Sequence, residues 1–124
     1  MSPYISLAKL AVESFIKEGK IISSSFVMKL LRNKSLSEDL KDKLFNQKAG
    51  TFVTIEKEET SENLPRSEGK RTLRGCIGTY LPIRVNIAEE IIRNAIAAAK
   101  EDYRFEPIQK EELPYLLYTV YILS

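Results

Sequence analysis

Two glycines, Gly75 and Gly78, interrupt the run Thr72-Leu73-Arg74-Gly75-Cys76-Ile77-Gly78-Thr79, which otherwise reads as a β-strand. Glycine inside a strand forfeits side-chain packing, so it marks a bulge or a close approach by another backbone or a ligand. The neighbouring segments narrow that choice. Phe52-Val53-Thr54-Ile55-Glu56 follows Gly50, is rich in β-branched residues and reads as a partner strand. Asn86 to Glu101 reads as a helix in which Ala95, Ala98 and Ala99 allow a close approach to a sheet. Gly75 and Gly78 then signal either a bend over a crossing helix or a backbone-lined pocket, and the packing explanation is the stronger. Strict alternation assigns Leu73, Gly75 and Ile77 to one face, and Arg74, Cys76 and Gly78 to the other.

The flanking chain supplies helices. Ser2 is an N-cap and Pro3 a first helical residue, with Tyr4, Leu7, Ala8, Ala11, Val12 and Phe15 at helical spacing before Gly19 stops the helix. Ser23–Ser25 and Ser37 cap two short helices, the second with Glu38 and Asp39 at the positive end of its dipole. Lys29, Arg32 and Lys34 form a small basic cluster, read as a solvated face rather than a phosphate site. Lys57 to Lys70 is a long polar connection with no distinctive chemistry. In the helix from Asn86, the spacing buries Ala88, Ile91, Ile92, Ala95 and Ala99, and leaves Glu89, Glu90, Arg93, Asn94 and Lys100 on the wet side. Asp102 to Pro107 is a loop with Phe105 as a core plug. Lys110 to Leu113 forms a helical turn, and Tyr115 to Leu123 a strand apolar on both faces. The order predicts an α+β fold, a largely antiparallel sheet flanked by helices, in a single domain over residues 1–124.

Chemistry is limited by what is missing. The chain has no histidine and one cysteine, which removes Ser-His and Cys-His dyads, a closed zinc site and an internal disulfide. No cofactor and no metal are expected. Nineteen basic against 17 acidic residues leave a net charge of +2, which argues against nucleic acid as a partner. No apolar run reaches the roughly 20 residues needed to span a bilayer, no secretory signal is visible, and the lone thiol suits a reducing compartment. The expected location is cytoplasmic, with no membrane association.

Leu-Arg-Gly-Cys-Ile-Gly at 73–78, followed after the helix by Asp102-x-Arg104-Phe105, resembles the AMMECR domain family. Phe52-Val53-Thr54, Ala95, Ala98, Ala99 and Glu112-Leu113-Pro114 fit the same pattern. The resemblance implies an α+β domain in which further strands and helices follow the last strand, so this chain reads as an AMMECR-like domain shortened at its C-terminus. It implies no particular reaction. It also places Thr119 where relatives commonly carry a Glu.

The residues singled out as a site are Arg74, Gly75, Gly78, Thr79, Asp102 and Arg104 for binding, with Cys76 and Arg74 as the only candidate catalytic pair. The favoured function is a non-catalytic interaction, regulatory or small-ligand module using an Arg74/Cys76 face, its partner an unknown protein or small ligand. The alternative is an enzyme in which Cys76 is the nucleophile, Arg74 lowers its pKa, and N–H groups near Gly75 and Gly78 stabilise an oxyanion. Cys76 itself is expected to be a buried packing residue. A buried guanidinium needs an acid, and Asp102 is the nearest by motif, so an Arg–Asp contact should tie the loop to the sheet. The doubly apolar last strand favours a two-fold homodimer unless the N-terminal helices cover it.

Overall fold

The computed structural model describes residues 2–31, 36–59 and 70–123. Helix α1, Pro3–Glu18, is capped by Ser2, whose hydroxyl accepts the Tyr4 N–H, and ends at Gly19 with φ 68°, a left-handed stop. Two short helices follow, α2 (Ser24–Leu30) and α3 (Glu38–Asn46), capped by the hydroxyls of Ser23 and Ser37. Strands β1 (Thr51–Glu59) and β2 (Lys70–Gly78) lead to α4 (Ile87–Lys100). A 3-10 turn, Lys110–Tyr115, then enters β3 (Leu116–Ile122). The basic cluster beyond Lys29 and the centre of the long connection, residues 60–69, lie outside the described residues.

The sheet runs β2-β1-β3, with both pairings antiparallel. The α+β expectation holds, and the helices gather on one side. α4 packs on β1 and β2, while α1 packs on β3 and α4. Beneath them Val53 and Ile55 are fully buried with Val12, Ile91, Ile92 and Ala95. Each of these valine and isoleucine side chains contributes roughly 1.5–3 kcal/mol by leaving water. Close helix–sheet approach is achieved as the glycine and alanines imply: a Cβ on Gly75 would run into the Ala98 carbonyl oxygen.

Three expectations need correcting. First, alternation in β2 is not strict. Ile55 pairs with Gly75 but Glu56 pairs with Leu73, so Arg74 is an extra, bulged residue. The bulge moves Leu73 to the side of Cys76 and separates Arg74 from it. Second, Glu90 and Asn94 are not on a wet face but buried, 1% and 5% exposed. Third, Phe105 is only half-buried, and the plug in that loop is Ile108, whose N–H donates to the Ala99 carbonyl at 2.9 Å. The doubly apolar β3 receives cover on one face from an N-terminal helix, with Leu116 and Tyr118 buried on the side where α1 packs. Its other face, with Leu117, Thr119 and Tyr121, is half-buried to exposed.

Candidate functional site

Once paired, the strands sort their side chains. Thr51, Val53 and Ile55 face the helices. Phe52, Thr54 and Glu56 face away, beside Cys76 and Gly78 on β2 and Thr119 and Tyr121 on β3. Among the described residues this second face carries no packed helix, and its side chains are half-buried or exposed. Cys76 lies on the edge strand β2, half-buried rather than enclosed, with Sγ 3.1 Å from the hydroxyl oxygen of Thr54 on the central strand. Thr119 is the cross-strand neighbour of Thr54 on the other side. Gly78 is overlain by the Phe52 ring, which a Cβ there would strike.

Arg74 is engaged elsewhere. Its Nε donates to Glu112 Oε1 at 2.8 Å and its Nη2 to Oε2 at 3.0 Å, a fork-to-fork pair, and Nη2 also reaches the Glu106 carbonyl at 3.1 Å. Glu112 further accepts from Lys57 Nζ at 3.4 Å and from the Gln109 N–H at 2.8 Å. Both side chains of the pair are about five-sixths buried, at 15% and 16% exposed. The Arg74 hydrogen bonds outweigh the desolvation of Glu112 and hold its carboxyl at about 2, against an ordinary 4.5. In turn, Glu112 raises the Arg74 pKa. This clasp joins the β2 bulge to the segment that carries Ile108 and Leu113 into the core.

Asp102 does tie its loop to the sheet, through the Cys76 N–H, while its arginine partner is Arg104 of the same loop and not Arg74. Its carboxylate accepts the Cys76 N–H at 3.0 Å, the Arg104 N–H at 3.2 Å, and Arg104 Nε and Nη2 at 2.9 and 2.7 Å. The Arg104 bonds hold its carboxyl far below the usual carboxylate range despite burial. Half of the Arg104 side chain stays exposed, with its guanidinium 5.2 Å from the Phe105 ring centre, while Tyr103 beside it is almost fully solvated. An anchored cation and an aromatic thus flank the edge of the Cys76 face.

Thr79 belongs to a third cluster. Its hydroxyl donates to Glu90 Oε2 at 2.7 Å and accepts from Asn94 Nδ2 at 3.1 Å. That amide also reaches the Thr51 carbonyl and hydroxyl at 3.0 and 2.8 Å. Thr79 therefore closes a largely buried network that joins β1, the end of β2 and α4.

The structure divides the sequence-derived site into three. Arg74 and Gly75 lie toward the helix side, Thr79 sits over Glu90, and Cys76, with Gly78, lies on the helix-free face beside the Asp102–Arg104 pair. Sequence reasoning missed Thr54, Glu90 and Glu112 as partners. Glu112 stood in the Glu-Leu-Pro pattern, and Glu90 with Asn94 made an i,i+4 polar pair within an Ala/Ile helix. Among the described residues no three His, Cys, Asp or Glu side chains group as metal ligands, and no helix is long and apolar enough to cross a membrane.

The AMMECR1 family model matches residues 5–124. A Thermotoga maritima protein is 38% identical over 122 residues, covering 98% of this chain and 57% of that protein. A Thermococcus gammatolerans protein is 35% identical over 120 residues, covering 97% and 48%. The crystal structure of the uncharacterized protein PH0010 from Pyrococcus horikoshii superposes with a TM-score of 0.69 at 32% identity, over 98% of this chain and 49% of that one. The chain spans about half the length of these relatives.

Proposed function

The chain belongs to the AMMECR1 family, and we propose that it acts as a non-catalytic interaction or small-ligand module whose contact surface is the helix-free face around Cys76. The observation that carries this reading is the face itself. Phe52, Thr54, Cys76, Thr119 and Tyr121 stand on a sheet whose opposite side packs against α1 and α4, and their partial exposure leaves hydroxyl, thiol and aromatic groups open to contact. A half-buried sheet face of this kind is suited to a flat partner. Arg104, held rigid by Asp102, would supply a fixed positive rim for an acidic group. The lone thiol fits a reducing compartment such as the cytoplasm.

Because Cys76 is the only cysteine, it carries the test. A maleimide photocrosslinker attached there should capture a discrete partner from source-cell extract, and Thr119→Arg should abolish the adduct without unfolding the chain. Absence of any Thr119-sensitive adduct, with the labelled protein folded, would count against the reading. Self-association through the outer edge of β3 is the form a homodimer would take, and sedimentation at micromolar and lower concentrations tests it.

One observation favours the enzymatic reading: Asp102, which accepts the Cys76 N–H, also holds the Arg104 guanidinium, so a cation stands near this strand position. Against it, the recorded side-chain partner of Sγ is the Thr54 hydroxyl, which is no general base at neutral pH. Fast, stoichiometric alkylation of native Cys76 below pH 7 would restore the nucleophile.

A further inference from the structure

Among the described residues β2 is an edge strand, with β1 on one side only. An edge strand turns every second N–H and C=O away from its neighbour, and those groups can template an added strand. The ladder shows which residues do so here. The Thr79 N–H donates to the Thr51 carbonyl at 2.9 Å, so Thr51 and Thr79 are a hydrogen-bonded pair. Val53 with Ile77, and then Ile55 with Gly75, repeat that pattern two residues apart. Cys76, opposite Thr54, therefore holds an alternate position, and its N–H points outward from the sheet.

That outward N–H is already taken. Asp102, 6% exposed, accepts it on Oδ2 at 3.0 Å. The placement follows from the helix before it. Gly75 lets Ala98 approach β2 closely, α4 ends at Lys100, and the residues that follow bring the carboxylate to the strand's outer side. The Phe105 N–H then donates to the Asp102 carbonyl at 3.0 Å, which folds the loop into a turn, and the Glu106 carbonyl accepts Arg74 Nη2 at 3.1 Å. Arg74 is itself the bulged residue, and a bulge spoils the regular spacing that an added strand needs. A side-chain acceptor, a tethered loop and a bulge thus all fall between Arg74 and Cys76. By contrast Gly75-Cys76-Ile77-Gly78 carries no charge, so the strand's own side chains would not repel an incoming one.

We propose that the Asp102–Glu106 loop is an edge guard, whose carboxylate and carbonyl stand in for a neighbouring strand and keep a second copy of this chain from pairing with β2. The guard consists of bonds made within the chain, so it does not rest on how open the surrounding surface is. Arg104 keeps the carboxylate ionised and therefore an acceptor. The guard concerns the edge of β2 and not the sheet face on which the Cys76 thiol stands, and it holds whatever that face contacts.

The test compares Asp102→Ala, which removes the acceptor, with Asp102→Asn, which keeps a side-chain oxygen for the Cys76 N–H. Hydrogen exchange at the Cys76 amide is read in dilute protein, with the Val53 and Ile55 amides reporting that the sheet is intact. Sedimentation is then followed as concentration rises. Wild type and Asp102→Asn should keep the Cys76 amide protected and sediment alike. In Asp102→Ala that amide should exchange roughly tenfold faster or more. Larger species should form with concentration, and Cys76 protection should return as they form, because the edge is then paired with another copy. Asp102→Ser, also too short to reach the strand, is the second deletion variant and should behave as Asp102→Ala does. A wild-type Cys76 amide that exchanges as freely as an unbonded one would overturn the proposal, whether or not either deletion variant folds. So would association that leaves the Cys76 amide open, or an opened amide with no change in association, which would make Asp102 an anchor only.

Discussion

Replacing Glu112 with Gln removes one charge from the clasp and keeps its shape. Glu112 forks with Arg74, bonds Lys57 and caps Gln109, in a pair about five-sixths buried. Its carboxyl titrates at about 2 in the folded chain, against 4.5 ordinarily. At about 1.36 kcal/mol per pKa unit, the ionised form contributes up to about 3 kcal/mol. The Lys57 side of the site is more open to solvent, which screens part of this, so about 2 kcal/mol is expected for Glu112→Gln at pH 7. The pH dependence fixes the sign. The folded pKa is depressed, so the contribution is complete above pH 4.5 and disappears as pH falls through 2. Urea unfolding of both chains at pH 7, pH 4 and pH 2.5 should show a gap that narrows toward the acid end. Equal midpoints at pH 7 would refute the clasp. A gap that stays constant with pH would show that the loss is one of packing and not of charge.

Three further outcomes follow from the same geometry. Gly75→Ala drives a Cβ into the Ala98 backbone, which cannot swing aside as a side chain would, so a loss of about 2–3 kcal/mol and a lower thermal midpoint are expected; an unchanged midpoint would mean α4 can back away freely. Asp102→Asn weakens the anchor of Cys76 and Arg104 and should cost about 1–3 kcal/mol near neutral pH, with the difference shrinking in acid because the native carboxyl titrates below its ordinary range. Chemical denaturation reads this directly, and a midpoint equal to wild type would free Asp102 for ligand work. Gly19→Ala forces a β-carbon into the left-handed region at φ 68° and should cost about 1 kcal/mol, also read by denaturation, with no change in far-UV dichroism.

Local rules made much of this architecture legible. The serine and asparagine caps, the left-handed Gly19 and the apolar stripes of α1 and α4 all depend on neighbours a few residues away, and each stands where its side chain says. Gly75 also told its story, because Ala95, Ala98 and Ala99 offered the smooth surface that a side-chain-free strand position requires. Illegible features depended on register or on distant partners. A one-residue bulge at Arg74 leaves no mark in composition, yet it moves the arginine off the face of Cys76 and brings it to Glu112, 38 residues onward. Helical periodicity likewise assigned Glu90 and Asn94 to the wet side, because it has no means of anticipating a loop that folds back and supplies three donors. Asp102 lay between these cases. Its Arg104 partner, two residues away, was within reach of motif reasoning, while its bond to the Cys76 N–H required the sheet.

The contact role assigned to the Cys76 face is tested most directly by the accessibility of its thiol. Native chain should be titrated with a maleimide at neutral pH and the labelled residue identified by mass. Stoichiometric labelling of the folded chain, with the cooperative unfolding transition preserved afterwards, is the result expected for a half-buried thiol on a sheet face that no helix among the described residues covers. Labelling that begins only once the chain unfolds would show the face to be closed and would contradict the account.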